Sequence, residues 1–222
     1  MNKAGSSNFN PYFQVGLDVR QRRCLVIGGG LEADDKAGKL ISAGAKVVVV
    51  SPSLGPPLKL SLEAGQLEYH KRVFEPEDLC DIFLVINTVS GNGEFERLVY
   101  DLSCNKGCLI NTYDRPELSN FGMSALVSRG HLRIGISTSN TSPSIARRLR
   151  ENLEEIFDDA EFVEYLNQLG QVRDHLKATI PDSDSRTQIL KSLVIDFELQ
   201  GKLRFPDDWQ EHIAKLMNRY SA

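Results

Sequence analysis

The sequence predicts an α/β protein built around a doubly wound parallel sheet, and three observations support this prediction. Short apolar runs alternate with stretches of helical periodicity between Cys24 and Asp114, which is the pattern of repeated β-α-β units. The uninterrupted β-branched run Val47–Val50 is typical of a parallel strand that is buried on both faces. Three consecutive glycines, Gly28–Gly30, separate the first central strand from the first helix.

Local patterns predict each element in turn. The apolar residues of Tyr12–Leu17 predict a short edge strand. A helix is expected to begin at Leu31 and to end at Gly44, because glycine readily adopts the left-handed conformation that stops many helices. The other elements predicted before residue 115 are strands at Cys24–Ile27, Val47–Val50, Leu67–Lys71, Asp81–Ile86 and Cys108–Asn111, a helix ending near Ala64 and a helix over Glu94–Asn105.

The composition indicates a folded protein and excludes some partners. Of the 222 residues, 41% are hydrophobic and 25% are charged, which is near the globular average. The net charge of −4 argues against general nucleic-acid binding, which needs a basic surface. No apolar run approaches the roughly 20 residues that span a bilayer, and residues 1–10 have no apolar signal core. We therefore expect a cytoplasmic protein that binds no membrane.

A change in charge marks a boundary after Asp114. Residues 115–150 contain six arginines and one acid, whereas residues 151–164 contain seven acids and no base. We predict a Rossmann-like domain over residues 1–114, a small α+β segment over 115–150 and a helical domain over 151–222. In the middle segment we expect two strands, Ser124–Ser128 and Leu132–Ser137, and a helix capped by Ser142. The helical domain is expected to break at residues 180–182 and 204–206.

The glycines fit a dinucleotide-binding turn. Gly28, Gly30 and Ala33 match the pattern G-x-G-x-x-G/A between a strand and a helix, which holds a pyrophosphate. The second strand ends at Ser51, where such sites often have an acid, and no basic residue nearby would receive a 2′-phosphate, so NAD is favoured over NADP. The cofactor-binding residues that we predict are Gly28, Gly29, Gly30, Leu31, Glu32, Ser51, Pro52, Ser53, Asn87 and Thr88.

Acidic residues leave two questions open at this stage. Glu32, Asp34 and Asp35 lie in the first turn of the helix that follows the glycines, where they either cap the helix toward solvent or oppose a bound anion. Asp114 follows the last predicted strand of the sheet, and its position alone fits a general base and a structural turn residue equally well. The four histidines share no ligand spacing, and the four cysteines are expected to be reduced thiols, so we predict no metal site.

Several stretches in consistent order resemble one family, the bifunctional precorrin-2 dehydrogenase and sirohydrochlorin ferrochelatase, which includes the N-terminal module of siroheme synthases. The resemblance covers about residues 10–155. Among the matching stretches are Val26–Gly30 with Ala33 and Lys36, Ala43–Ala45, Ile110-Asn111 with Asp114, Ile136–Thr138, and Thr141–Pro143 with Ala146-Arg147.

The resemblance implies a function and a site. It implies a homodimer that uses NAD to oxidise precorrin-2, a polycarboxylate, and that in many members then inserts ferrous iron. Asp114 would be the catalytic base, and the arginines would bind the substrate carboxylates. The substrate-binding residues that it implies are Arg115, Arg129, His131, Thr138, Ser142 and Arg147.

Departures from the family keep a second reading open. Ser139-Asn140 stands where the family commonly has Gly-Gly, and Glu32 and Asp35 stand where it commonly has Val and Arg. The alternative is a non-catalytic module that binds NAD or a tetrapyrrole on the same scaffold. A dehydrogenase of small alcohols or hydroxy acids is disfavoured, because the expected catalytic His or Tyr-Lys arrangement is missing.

Overall fold

The computed structural model describes residues 13–200. Strands and helices alternate in its first part. The strands are β1 (Arg23–Ile27), β2 (Lys46–Val50), β3 (Leu67–His70), β4 (Leu84–Asn87) and β5 (Leu109–Thr112). The helices between them are α1 (Leu31–Ser42), α2 (Pro56–Glu63) and α3 (Gly93–Asn105).

The five strands form a parallel sheet in the order β3-β2-β1-β4-β5. The chain therefore builds outward from β1 through β2 and β3, and then returns to the other side of β1 to add β4. At such a reversal the loops after β1 and β4 separate and leave a crevice at the carboxyl ends of the strands. The predicted doubly wound α/β fold is confirmed.

The core lies on both faces of this sheet. Val47 and Val49 of β2 belong to a buried cluster that includes residues of α1 and α2. Val48 and Val50 belong to a second cluster on the other face, which includes Val99 of α3. Because alternate side chains of a strand point to opposite faces, a strand that is covered on both sides must be apolar throughout. This is the physical reason for the run of four valines.

The predicted edge strand at Tyr12–Leu17 is wrong for the part that the structure describes, since Tyr12 lies outside the described residues. Residues 13–17 form no strand, and the side chains of Phe13 and Val15 are 90% and 66% exposed. A strand needs a ladder of backbone hydrogen bonds, and one edge of the sheet is already occupied. Asn120 covers β5 by accepting from the amide of Ile110 at 2.7 Å and donating to the carbonyl of Cys108 at 3.1 Å.

The later elements follow the predicted order. They are β6 (Ala125–Arg129), β7 (Leu132–Ile136), α4 (Pro143–Ile156), α5 (Ala160–Thr179) and α6 (Ser183–Ser192). Strands β6 and β7 form a separate two-stranded sheet. The predicted helix cap is confirmed, because Ser142 Oγ accepts a hydrogen bond from the amide of Ile145 at 3.4 Å.

The backbone contacts divide the chain into two units. The first ends at Asp158 and excludes Gly130–Leu132, which group with the second unit that begins at Asp159. The predicted break at residues 180–182 separates α5 from α6, whereas the predicted break at 204–206 lies outside the described residues. The domain boundaries expected after residues 114 and 150 stay predictions. Between residues 13 and 200, no helix has both the length and the apolar composition that crossing a membrane requires.

Candidate active site

The glycine turn brings three loops into close contact. Gly28 has a φ of +116°, and a Cβ added there would collide with Thr88 Oγ1 in the loop after β4. A Cβ added at Gly29 would collide with the carbonyl oxygen of Ser53 and would lie 2.8 Å from Ser51 Oγ. Glycine is therefore favoured at both positions, because the Thr88 side chain after β4 and the Ser53 backbone after β2 lie directly against this turn.

The same turn leaves room for a ligand. A Cβ added at Gly30 would meet no atom within 4 Å, so this position faces open space. Gly30 is also the N-cap of α1 and provides no side chain to bond the first amides of the helix. Ala33, one turn into α1, is fully buried, which allows the helix to pack closely on the sheet. The arrangement fits the pyrophosphate of a dinucleotide.

Two acids of α1, Glu32 and Asp35, form ion pairs with lysines of the same helix. Lys36 Nζ lies 3.6 Å from the Glu32 carboxylate and 2.7 Å from that of Asp35, and Lys39 Nζ lies 2.8 Å from Asp35. Partial burial raises the pKa of Asp35, but the hydrogen bonds from Lys36 and Lys39 outweigh it, so the pKa lies below its usual value. Glu32 and Asp35 thus have cationic partners on their own helix, which favours the interpretation that they face solvent over the one in which they oppose a bound anion.

The loop after β2 is fixed on the cofactor side of the sheet. Ser51 is buried, and its carbonyl oxygen accepts a hydrogen bond from the Tyr69 hydroxyl at 2.9 Å. The amide of Gly55 donates to the carbonyl oxygen of Gly29 at 2.8 Å, which ties this loop to the glycine turn. The Ser51 hydroxyl faces Gly29 and can hydrogen-bond a ribose; Pro52 and Ser53 are exposed in the same loop.

Two buried polar atoms lie at the carboxyl ends of β4 and β5. Asn87 and Thr112 are partners in the strand register and are 0% and 2% exposed. Asn87 Oδ1 accepts from the amide of Val89 at 3.1 Å, but Asn87 Nδ2 and Thr112 Oγ1 have no hydrogen-bond partner. Buried polar groups are normally paired, so these two atoms are suited to bind a ligand. Thr112 ends a strand at the predicted crevice but was not among the predicted site residues; a polar residue that ends a buried strand was the available signal.

Asp114 lies two residues beyond Thr112, in a turn that is held on both sides. The amide of Tyr113 donates to the carbonyl oxygen of Asn87 at 2.9 Å, and the amide of Arg115 donates to that of Thr112 at 3.1 Å. Asp114 itself has a φ of +53°, a conformation that is uncommon for residues other than glycine and recurs at functional sites. The structure therefore brings Asp114 to the same edge of the sheet as Asn87, Thr88 and the glycine turn.

The arginines implied for the substrate have acidic partners. Arg115 Nε donates to Glu96 at 2.9 Å, and Arg147 Nε donates to Glu151 at 2.9 Å. Arg129 Nε lies 3.5 Å from the Asp158 carboxylate. The Arg147 side chain is 77% exposed, and an ion pair of this kind contributes little stability, so it can exchange for a substrate carboxylate.

The hydroxyl-bearing loop before α4 is also ordered by its own side chains. Thr138 Oγ1 accepts from the amide of Ser142 at 3.1 Å. Ser139 and Asn140 between them have φ values of +51° and +63°, so this chain keeps a left-handed path at the position of the family's Gly-Gly. His131 groups with the second unit, whereas the other predicted site residues belong to the first.

Comparison with known proteins identifies the family. Residues 15–125 match the family model described as putative NAD(P)-binding. The precorrin-2 dehydrogenase of Bacillus subtilis is 30% identical over 157 residues, which cover 71% of this chain and 95% of that protein. The chain belongs to the precorrin-2 dehydrogenase family. The resemblance stated from the sequence is thereby confirmed.

Longer relatives share the same module. The siroheme synthase 1 of Pectobacterium atrosepticum is 32% identical over 184 residues, which cover 83% of this chain and 38% of that protein. The siroheme synthase of Methylobacillus flagellatus is 38% identical over 140 residues, which cover 63% of this chain and 30% of that protein. The chain thus spans less than two fifths of the length of these synthases.

A solved structure supports the fold of the family. The structure of SirC, precorrin-2 dehydrogenase, has a TM-score of 0.67 and 23% sequence identity, and the match covers 94% of this chain and all of that one. At this identity the likeness concerns the fold.

A basic residue near the second strand was missed by the sequence analysis. Strand register pairs Val50 with His70, which brings Arg72 to the end of the sheet where β2 ends. Arg72 donates two hydrogen bonds to Asp78, at 2.6 and 2.8 Å, and the Asp78 side chain is only 3% exposed. The guanidinium is therefore committed to a buried acid. The pairing of β2 with β3 was the only signal that could have pointed to it.

The cysteines and histidines form no metal centre in the described part of the chain. Among residues 13–200, no group of three His, Cys, Asp or Glu side chains could hold a metal ion. Cys104 is exposed and Cys108 is buried, and Gly107, with a φ of +73°, lies between them after the end of α3. Burial raises the pKa of the Cys24 thiol to about 11, so this thiol is unreactive at neutral pH.

Proposed function

We propose that this protein oxidises precorrin-2 to sirohydrochlorin with NAD as the oxidant. Membership of the precorrin-2 dehydrogenase family supports this proposal. The observation that carries it is the position of Asp114, two residues beyond Thr112, whose hydroxyl has no partner, and linked through the amide of Tyr113 to Asn87 at the end of β4. A candidate base and a candidate cofactor cradle thus share one edge of the sheet.

The residues of the crevice fit a dinucleotide. Gly28, Gly29 and Gly30 would hold the pyrophosphate, since a side chain at either of the first two would close the turn. Ser51 would hydrogen-bond a ribose, and the unpartnered Asn87 amide and Thr112 hydroxyl would each gain a hydrogen-bond partner. When bound, NAD supplies the acceptor for a hydride.

Asp114 would act as the base of the reaction. Precorrin-2 loses two electrons and one proton as a hydride and loses a second proton to a base. The Asp114 carboxylate accepts that second proton, and positioned general bases of this kind typically contribute about 10²–10⁴-fold to the rate. Because the residue is exposed at the end of a strand, the accepted proton can pass on to solvent.

The substrate carboxylates would be bound by the segment that follows the sheet. Arg129 and Arg147 would exchange their present acidic partners for substrate carboxylates, and Thr138 and Ser142 would donate hydroxyl hydrogen bonds at the start of α4. Arginine suits this role because its planar guanidinium can bond a carboxylate at two points. His131 stays a predicted substrate contact.

The proposal includes a homodimer in the cytoplasm. Exposed apolar side chains on the segment after the sheet support an interface there, because Leu126, Ile145 and Ile156 are 45%, 56% and 50% exposed. Insertion of ferrous iron into sirohydrochlorin is a further step that the family resemblance implies; iron would be a substrate, and Asp114 would accept protons from the pyrrole nitrogens.

One assay tests the proposed function. Purified protein, NAD and precorrin-2 are expected to give sirohydrochlorin and NADH in equal amounts, and ferrous iron added afterwards tests for chelation. A binding titration with NAD and with sirohydrochlorin tests the alternative, a non-catalytic module that binds NAD or a tetrapyrrole. Tetrapyrrole binding without NAD binding and without NADH formation would contradict the enzyme and favour the non-catalytic binding module.

A further inference from the structure

We propose that Glu96, a buried residue of α3, is a positioning residue that holds the loop after β4, called the cofactor loop, and the Asp114 turn at a fixed separation. Its side chain is 1% exposed. One carboxylate oxygen, Oε1, accepts a hydrogen bond from the amide of Gly91 at 3.0 Å. The other, Oε2, accepts from Arg115 Nε at 2.9 Å. This inference rests on the proposed function, because it assigns a role to Asp114.

The two bonds reach two different loops of the crevice. Gly91 lies in the connection between β4 and α3, which begins with Thr88 next to the glycine turn. Arg115 directly follows Asp114 in the connection after β5. A single carboxylate therefore joins the loop on the cofactor side to the turn that carries the proposed base.

The burial of Glu96 indicates that its two hydrogen bonds have a role beyond packing of the helix. A carboxylate taken out of water loses hydration, and only good partners compensate for the loss. Helix α3 already packs on the sheet through Val99, which is fully buried, and an apolar residue in place of Glu96 would bury more readily. An apolar residue, however, could not bond the Gly91 amide and the Arg115 guanidinium at the same time.

The conformation of Asp114 gives the link its importance. A φ of +53° is uncommon for a residue other than glycine, and aspartate adopts it more readily than most, so the bonds around this turn help to keep Asp114 there. The backbone of the turn is fixed by the bonds of Tyr113 and Arg115 to the strand ends and by Ser119 Oγ, which donates to the carbonyl oxygen of Arg115 at 2.9 Å. The bond from Arg115 to Glu96 is a side-chain anchor that ties this turn to α3 and, through Gly91, to the cofactor loop.

The variant Glu96→Gln tests this role. Glutamine keeps the size and one acceptor oxygen but loses the charge and one of the two acceptors, so the two loops are no longer held together. Because a displacement of about 1 Å can cost about 100-fold in rate, kcat is expected to fall by about 10–100-fold, while the dissociation constant for NAD changes by less than about threefold. Hydrogen–deuterium exchange is expected to increase at residues 88–92 and 113–118 and to stay unchanged in β1 and β2.

Two further variants keep the test decisive. Glu68→Gln makes the same chemical change in an exposed carboxylate, which lies 2.8 Å from His70 Nε2 and 3.4 Å from Arg23 Nη1, and is expected to leave kcat and exchange at residues 88–92 and 113–118 unchanged. The double variant Glu96→Met with Arg115→Met removes the link without leaving a buried charge, so it is expected to fold and to show the same increase in exchange at residues 88–92 and 113–118 as Glu96→Gln.

The outcomes separate this inference from the proposed function. A folded Glu96→Gln or double variant with wild-type kcat would overturn the positioning role, and so would unchanged exchange at both loops. A loss of thermal stability with normal kcat would show a merely structural role and would also overturn it. If the wild-type protein forms no NADH from precorrin-2, the proposed function fails, and the exchange measurement still decides whether Glu96 joins the two loops.

Discussion

Asn87 and Thr112 are direct neighbours across β4 and β5, and the amide nitrogen of one and the hydroxyl of the other are both buried without a hydrogen-bond partner. A buried polar atom that has given up its bonds to water carries a cost in free energy until it gains a partner. A ligand that bonds these two atoms would remove part of that cost. The first prediction follows from this relationship.

We predict that Thr112→Val stabilises the ligand-free protein and weakens NAD binding. Removal of an unpartnered hydroxyl should raise the free energy of unfolding by about 1 kcal/mol. The dissociation constant for NAD should rise by about three- to tenfold, which corresponds to one lost hydrogen bond. Chemical denaturation and a binding titration measure the two effects. The matched variant Thr88→Val should instead destabilise the protein, because the Thr88 hydroxyl donates to the carbonyl oxygen of Ile27 at 2.9 Å.

We predict that Asp114→Asn abolishes most of the turnover and leaves the fold intact. Asparagine tolerates the left-handed conformation that Asp114 adopts, but it cannot accept a proton at neutral pH. The rate of NADH formation from precorrin-2 should fall by about 10²–10⁴-fold, while the unfolding temperature and the affinity for NAD stay close to those of the wild type. Near-normal turnover in this variant would remove Asp114 from the mechanism.

We predict that Ser139→Gly stabilises the protein. Ser139 has a φ of +51°, which a side chain disfavours and glycine adopts freely, so the free energy of unfolding should rise by about 0.5–1 kcal/mol. Asn140→Gly should give a smaller gain, because asparagine tolerates this conformation better than serine. Urea denaturation measures both. A destabilised Ser139→Gly variant would mean that the loop does not follow this path in solution.

We predict a preference for NAD over NADP that depends on Asp78. Asp78 holds the Arg72 guanidinium through two hydrogen bonds, so this cation near the end of β2 is not available to a 2′-phosphate. The variant Asp78→Asn should raise the affinity for NADP relative to NAD by about tenfold, which is the gain expected from one new charge-assisted contact. Binding titrations with both cofactors measure the ratio. The double variant Asp78→Asn with Arg72→Met is the control and should lose the gain.

We predict that the stability contributed by Asp78 disappears at low pH. Partial burial raises the pKa of this carboxyl, but the hydrogen bonds from Arg72 outweigh it, and the pKa in the folded protein lies below its usual value. A carboxyl with a lowered folded-state pKa stabilises the protein above its unfolded pKa of about 3.9, and this contribution is lost as the pH falls through the folded-state pKa. Asp78→Asn should therefore lower the free energy of unfolding by about 1–3 kcal/mol at neutral pH and by progressively less below about pH 4. Chemical denaturation of both proteins at several pH values measures this difference. A difference in the free energy of unfolding between wild type and variant that does not depend on pH would contradict the ion pair.

Much of the candidate site could be read from the sequence because it depends on local chemistry. The glycine turn needs residues without a Cβ at Gly28 and Gly29, and the sequence displays that requirement directly. The placement of Asn87, Thr88 and Asp114 at one edge follows from parallel strands whose ends coincide. Thr112 lies on the same edge but was not among the predicted site residues, since the sequence does not show whether its hydroxyl has a partner.

By itself, the sequence determined the alternation of strands and helices, the glycine turn and the caps of the helices, because periodicity and backbone freedom act over a few residues. Only the tertiary structure decided which charges are paired and whether the predicted edge strand forms. Arg72 lies beside the end of β2 because of strand register, and Glu96 joins two loops because α3 packs against the sheet. Residues 13–17 form no strand although their pattern allows one, because a strand also needs a partner with unpaired backbone groups.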